Sequence, residues 1–259
     1  MLHILPRAPV DYVLFMLWCF TVAVAGGLVG LVLGNIRLPF TLLLASSPAA
    51  GTGANLIISS SAAGAASIAH IRAGRVNWRL FAWMAPPSIA GAIVGGYLSG
   101  VLPREALLGV ISVVLLYSSF DLARWTPPQR GPDDGTPPDL DIPAAVGAGA
   151  VIGLLGGVVG LILGTLRVPA LLKFVGEVPS RVAGTNLAVG FWVGVFGAVG
   201  HLPSEPPDWK LAALGAAASV PGALVGARLT GRLSELQLVR AIAAILLVAA
   251  IATAVEAVA

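Results

Sequence analysis

The stretch GGLVGLVLGNIRLP at residues 26–39 occurs a second time as GGVVGLILGTLRVP at residues 156–169. Nine of the fourteen positions are identical, and most of the others are conservative apolar exchanges. Each copy carries glycines at four-residue spacing, Gly26, Gly30 and Gly34 against Gly156, Gly160 and Gly164. A polar residue follows (Asn35 or Thr165), then an arginine and a proline. Small residues at this spacing let apolar helices approach closely in a membrane. A charge and a proline directly behind them predict a helix that stops inside the apolar layer.

Composition agrees with that setting. The chain has 259 residues, 57% hydrophobic and 10% charged, whereas a soluble domain carries about 25% charged residues. Several runs approach the roughly 20 residues needed to span a bilayer as a helix. The net charge of +3 is small and scattered, which suits a bias between two membrane faces and excludes a nucleic-acid footprint. The single cysteine, Cys19, allows no intramolecular disulfide. No HExxH, CxxC, GxSxG or Walker pattern is present, so no enzyme activity, metal or cofactor is expected.

Taken in order, residues 12–33 form an apolar run, and 38–46 a short one ended by Ser46-Ser47-Pro48. Further spans are expected at 52–71, 80–102 and 106–123. Residues 125–141 (WTPPQRGPDDGTPPDLD) are rich in Pro, Gly and Asp and read as a solvated linker. The pattern then restarts, with a run to residue 163, a short segment at 168–175, and spans at 183–200, 211–233 and 236–258. The first run resembles a signal peptide loosely, but its copy lies in mid-chain, so it is read as a retained helix.

The repeat extends beyond the opening stretch. Gly53-Ala54-Asn55-Leu56 matches Gly184-Thr185-Asn186-Leu187, His70 matches His201, Trp78 matches Trp209, and SIAGAIVGGYLSG from Ser88 matches SVPGALVGARLTG from Ser219. The expected organisation is a first half at 1–124, the linker at 125–141 and a second half at 142–259. The fold class is an all-α integral membrane protein of two homologous halves, with about eight full spans plus two short broken or half-membrane segments. Duplicated halves are the mark of many secondary transporters.

Basic residues bear on the orientation of the halves. With Lys173 and Arg181 set aside, short segments that do not cross leave seven basic residues on one face and six on the other. Short segments that do cross give inverted halves and a nine-to-four division, the asymmetry of a cytoplasmic face. The expected topology is therefore inverted, with both termini outside.

Several residues carry the chemistry. Gly34 and Gly164 lie where helical bonding is expected to end, and freed backbone at membrane depth must be buried in protein or line a cavity. Arg37 and Arg167 are permanent charges whose planar forks suit carboxylate, sulfonate or phosphate oxygens. Their competing reading is snorkelling to headgroups. Asn55 and Asn186 are expected in the first turn of the following helix, where free N–H groups favour an anion. Gly53, Gly184 and Thr185 add small and hydroxyl groups beside them, and Asn35 and Thr165 complete the substrate-binding set. His70 and His201, a repeated pair at helix ends, are candidates for proton coupling, with helix capping as the alternative.

The two break motifs, the V-P-S-R-V-A-G-T-N-L run at residues 178–187 and the two-half organisation together resemble the TauE/SafE sulfite exporter family. The resemblance covers nearly the whole chain. It implies a secondary transporter in the cytoplasmic membrane, exporting sulfite, a sulfonate or a related sulfur-containing or organic anion by alternating access. Where that family has a denser glycine cluster, this chain has Val32-Leu33 and Ile162-Leu163. A passive anion channel and a non-transporting membrane scaffold are the alternatives. The expected partners are a small anion and the lipid bilayer, with no nucleic acid, and the chain could pair as a homodimer.

Overall fold

A left-handed glycine ends the first helix of each copy. Gly30 has φ 72° and Gly160 φ 71°, a conformation open to glycine and resisted by L side chains. Leu31 N donates to Gly26 O and Leu161 N to Gly156 O, both at 2.9 Å, which closes the helix ends. The computed structural model describes residues 8–98, 103–126, 141–175, 177–201 and 206–258, and the regular structure of these residues is helical. Helix α1 (Pro9–Val29) and helix α6 (Ile142–Val159) therefore stop at the middle glycine of the motif, not at the third. Residues 31–33 and 161–163 run on without helix, and α2 (Gly34–Leu44) and α7 (Gly164–Ala170) begin at the third glycine. Pro169 inside α7 removes a backbone donor, and the chain continues as a π-helical turn, Leu171–Val175.

Side-chain caps explain where the longer helices start. Ser47 accepts from Ala50 N at the head of α3 (Pro48–Arg72), and Asn77 from Leu80 N at α4 (Trp78–Tyr97). Asp141 accepts from Ala144 N at α6, and Asp208 from Leu211 N at α9 (Trp209–Thr230). Each satisfies one of the donors orphaned by a helix N-terminus. The remaining helices are α5 (Arg104–Ala123), α8 (Pro179–His201) and α10 (Glu235–Val258). Among the described residues, six helices, α1, α3, α5, α6, α9 and α10, are long and apolar enough to cross a membrane. Helices α4 and α8, with 20 and 23 residues, pack among them.

Glycines bring backbones together: Gly30 meets Ala183 of α8, while the contacts of α1 with α9 and of α6 with α4 fall on Gly27 and Gly157. At Gly27 a Cβ would overlap the Ala223 carbonyl of α9 and lie 3.0 Å from Ala227 N. At Gly157 it would overlap the Ala92 carbonyl of α4. Gly26 and Gly156 face their own break segments instead. The pairing is reciprocal: α1 packs on α9 as α6 packs on α4, α2 on α10 as α7 on α5, and α3 meets α8. Ser219 Oγ donates to Cys19 O and Thr230 Oγ1 to Leu28 O, so α1 and α9 run parallel. Between α3 and α8, Gly64 meets Phe191 and Ser60 meets Gly194, so these two helices run antiparallel. Ser119 Oγ donates to Ala243 O, setting the last turns of α5 against the first third of α10, also antiparallel.

These directions sort the charges. The C-terminal ends of α1, α3, α5 and α9 and the N-terminal ends of α4, α8 and α10 gather at one end of the bundle. There Arg75 Nη1 donates to Ala227 O, Asn77 Nδ2 donates to Glu177, and Lys173 bridges Asp121 at 3.1 Å. The other end holds the N-termini of α1, α3 and α9, with the Lys210 ammonium 3.8 Å from the Tyr12 ring and Asp208 N on Ala50 O. Among the described residues, Arg72, Arg75, Arg79, Arg124, Lys173, Arg181, Arg228, Arg232 and Arg240 lie towards the first end. Only Arg104 and Lys210 lie towards the second.

Candidate functional site

The two helix breaks cross in the middle of the bundle. Val32 and Ile162 both approach Gly190 of α8, and Val32 N lies 3.5 Å from where a Cβ on Gly164 would be. Residues 31–33 and 161–163 are buried and belong to the central apolar core. Backbone without helical bonds at this depth needs other partners, and two asparagines supply them. Asn55 Nδ2 donates to Gly34 O at 3.1 Å, and Asn186 Nδ2 donates to Gly30 O at 2.7 Å and to Gly164 O at 3.3 Å. Asn186, in the second half, thus ties the break of the first half to that of its own.

The same asparagines hold the arginines. Arg37 Nε donates to Asn55 Oδ1 at 3.0 Å and Nη2 to Asn55 O at 3.3 Å, and Nη2 also donates to Ser59 Oγ. Arg167 Nη1 donates to Asn186 Oδ1 at 3.0 Å, while its Nε and Nη2 are buried with no hydrogen-bond partner. Arg37 is 2% and Arg167 0% exposed. They do not snorkel. Both point inward, Arg37 at the level of residues 55–59 of α3 and Arg167 at Asn186 of α8, and among the described residues no carboxylate bridges either one.

Two expectations change. Asn55 and Asn186 are the eighth residues of α3 and α8, not first-turn residues. Those helices begin earlier than the apolar runs suggest, at Pro48 and Pro179, because proline is pre-shaped for the first turn. At about 1.5 Å per residue the asparagines sit about 10 Å inside their helices, so they act through their amides and not through a helix N-terminus. Nor does His70 cap its own helix, the alternative to proton coupling. It is fully buried, with Nε2 3.3 Å from Gly27 O and Nδ1 unpartnered. His201 ends α8, and its side chain lies outside the described residues.

The other candidates divide. Gly34 packs directly on Asn55 and Ser59, and Gly164 on Asn186, at the arginines. Asn35 turns away, donating from Nδ2 to Thr253 Oγ1 at 3.1 Å, with its Oδ1 left unpartnered. Thr165 is buried beside Gly164. Gly53 abuts Pro207 and Gly184 abuts Arg75, each under the loop that leads into the next helix. Thr185 Oγ1 accepts from Asn77 N at 2.9 Å in that loop. Of the adjacent Ser59, Ser60 and Ser61, any of which could line a route through the helices, the packing of α2 on α3 sets Ser59 against Arg37, while the other two bond to their own helix backbone. Beside Arg37 and Ser59 lies a cavity of about 20 Å³, enough for one water-sized group. A larger apolar groove lined by Ile68, Phe81, Phe191 and Trp192 flanks α3 and α8, away from the arginines.

The profile of the family described as "Sulfite exporter TauE/SafE" matches residues 15–253. The chain is similar to the "Probable membrane transporter protein YunE" of Bacillus subtilis (strain 168), at 24% identity over 241 residues, covering 85% of this chain and 87% of that protein. No solved structure matches it. A match over most of the chain, carried by membrane-spanning helices, settles the family: the protein is a membrane transporter belonging to the TauE/SafE sulfite exporter family.

Proposed function

We propose that the chain exports a small oxyanion, sulfite, a sulfonate or a related organic anion, across the cytoplasmic membrane by alternating access. One observation carries this reading: two fully buried guanidinium groups, lacking a carboxylate partner among the described residues, flank the crossing of two helix breaks. An arginine at the centre of a spanning helix costs about 2.5–3.5 kcal/mol on insertion scales. Two such charges without a counter-ion among the described residues are placed to receive negative charge from elsewhere. Arginine forks match oxygen anions of carboxylate or sulfonyl type, and the family description names sulfite. The site comprises Arg37, Asn55, Gly34, Arg167, Asn186 and Gly164.

Inverted halves, with boundaries at 1–124 and 142–259, complete the proposal. Support comes from the reciprocal pairings and from the antiparallel course of α3 with α8 and of α5 with α10. Mates related by an axis in the membrane plane run antiparallel, whereas an axis along the membrane normal would make them parallel. Each break and its short helix then form one crossing, five per half, and the nine-to-two division of basic residues marks the cytoplasmic end. The termini fall outside. The sealed arginines favour a carrier over an open pore, because a channel would leave a continuous wet path.

The test is efflux of sulfite from liposomes loaded with it and containing the purified chain. Saturable efflux that Arg37→Gln and Arg167→Gln each reduce supports the proposal. No efflux of sulfite, sulfonates or carboxylates above empty liposomes defeats it.

A further inference from the structure

The two half-sites are unequal. Resting on the anion-export reading, we infer that the free edge of the Arg167 guanidinium, Nε with Nη2, is the docking point for the anion. Arg37 is its structural counterpart, with the same edge already filled.

Nε–H and one Nη2–H of an arginine point the same way and form the side-on fork that takes two oxygens of one anion. In Arg37 this fork is used internally, by Asn55 Oδ1 on Nε and by Asn55 O and Ser59 Oγ on Nη2. In Arg167 the asparagine is met from Nη1 instead, so both donors of the fork stay free while the residue is wholly buried. Sequence explains the difference. Four residues after Asn55 stands Ser59; four residues after Asn186 stands Gly190, which offers no hydroxyl. Two desolvated donors on a permanent cation are costly to leave unpaired, and a carboxylate, sulfonate or sulfite satisfies both with parallel bonds. A halide offers both donors one shared acceptor on bent bonds, whereas two oxygens of one anion meet each donor in line. The 20 Å³ cavity beside Arg37 is too small for a sulfonate and faces the arginine whose fork is taken, so it does not mark the docking point.

The test restores the missing hydroxyl. Sulfite binding to the purified full-length chain is measured calorimetrically, with chloride as the ionic control, for wild type, Gly190→Ser, Gly190→Ala and Ser59→Ala. A Cβ at Gly190 would lie 2.9 Å from a methyl of Val32, so Gly190→Ala controls for crowding. Gly190→Ser is expected to bind sulfite at least about tenfold more weakly than Gly190→Ala, because it caps a charged donor. Ser59→Ala should stay within about threefold of wild type, since it alters only the filled fork. If Gly190→Ser does not fold, Arg167→Lys, which keeps the charge and removes the fork, should show the same loss. Equal binding by the two Gly190 variants, unchanged binding by Arg167→Lys, or loss confined to Ser59→Ala overturns the assignment while leaving anion export standing. A wild-type chain that binds no sulfite overturns both.

Discussion

Replacing Asn186 with aspartate would place a carboxylate where the amide now meets Arg167 Nη1 at 3.0 Å. Two effects oppose each other. The amide donors to Gly30 O and Gly164 O disappear, at about 0.5–1.5 kcal/mol each, with further repulsion where carboxylate faces carbonyl. Against this, a buried ion pair forms; two charges about 4 Å apart at an effective dielectric of about 20 attract by about 4 kcal/mol. The fold should therefore survive with a modest change in thermal midpoint. The incoming anion loses that same attraction, because Arg167 is already neutralised. About 4 kcal/mol is close to a thousandfold in affinity. The assay is calorimetric binding of sulfite to Asn186→Asp beside wild type, with melting curves on both. A folded Asn186→Asp chain that binds sulfite as well as wild type would refute the view that the unpaired charge of Arg167 holds the substrate.

Other consequences are open to measurement. Gly30→Ala and Gly74→Ala both force a side chain into left-handed backbone, but a Cβ at Gly74 meets open space while one at Gly30 collides with Ala183. Gly74→Ala should lose about 1–2 kcal/mol of stability, whereas Gly30→Ala should fail to give a monodisperse protein on size-exclusion chromatography. In a Cys19→Ala background, Ser119→Cys with Ala243→Cys should cross-link under mild oxidation and Ser119→Cys with Ala250→Cys should not, as antiparallel α5 and α10 require; the reverse pattern would sink the inverted arrangement. Thr253→Val removes the side-chain partner of Asn35 and should cost about 1 kcal/mol in thermal stability with sulfite affinity unchanged.

Much of the fold was legible in the residues themselves. Spans follow from long apolar runs, and the caps at Ser47, Asn77, Asp141 and Asp208 are side chains whose local chemistry starts a helix. The duplicated glycine motif marked the break, yet which glycine ends the helix was not readable, since Gly26, Gly30 and Gly34 look alike in a string. In the structure it is Gly30 that takes the left-handed backbone, with φ 72°, and a Cβ there would run into Ala183 of the other half. The four-residue ladder suggested packing through Gly26 and Gly30; Gly30 does meet Ala183, but the close contact of α1 with α9 falls on Gly27, because the face a helix turns to its neighbour depends on where that neighbour lies.

The sequence by itself determined that this is a duplicated, all-helical membrane protein whose paired breaks carry an arginine each. Those properties reside in composition and local order, which hydrocarbon and the helical hydrogen bond judge residue by residue. Tertiary structure decided that Arg37 and Arg167 turn inward, that Asn55 and Asn186 clasp them eight residues into their helices, and that Ser59 fills one fork while Gly190 leaves the other free. The partners involved lie 18 to 156 positions apart in the chain. Such contacts depend on how α2, α3, α7 and α8 cross, a geometry imposed by the packing of the whole bundle.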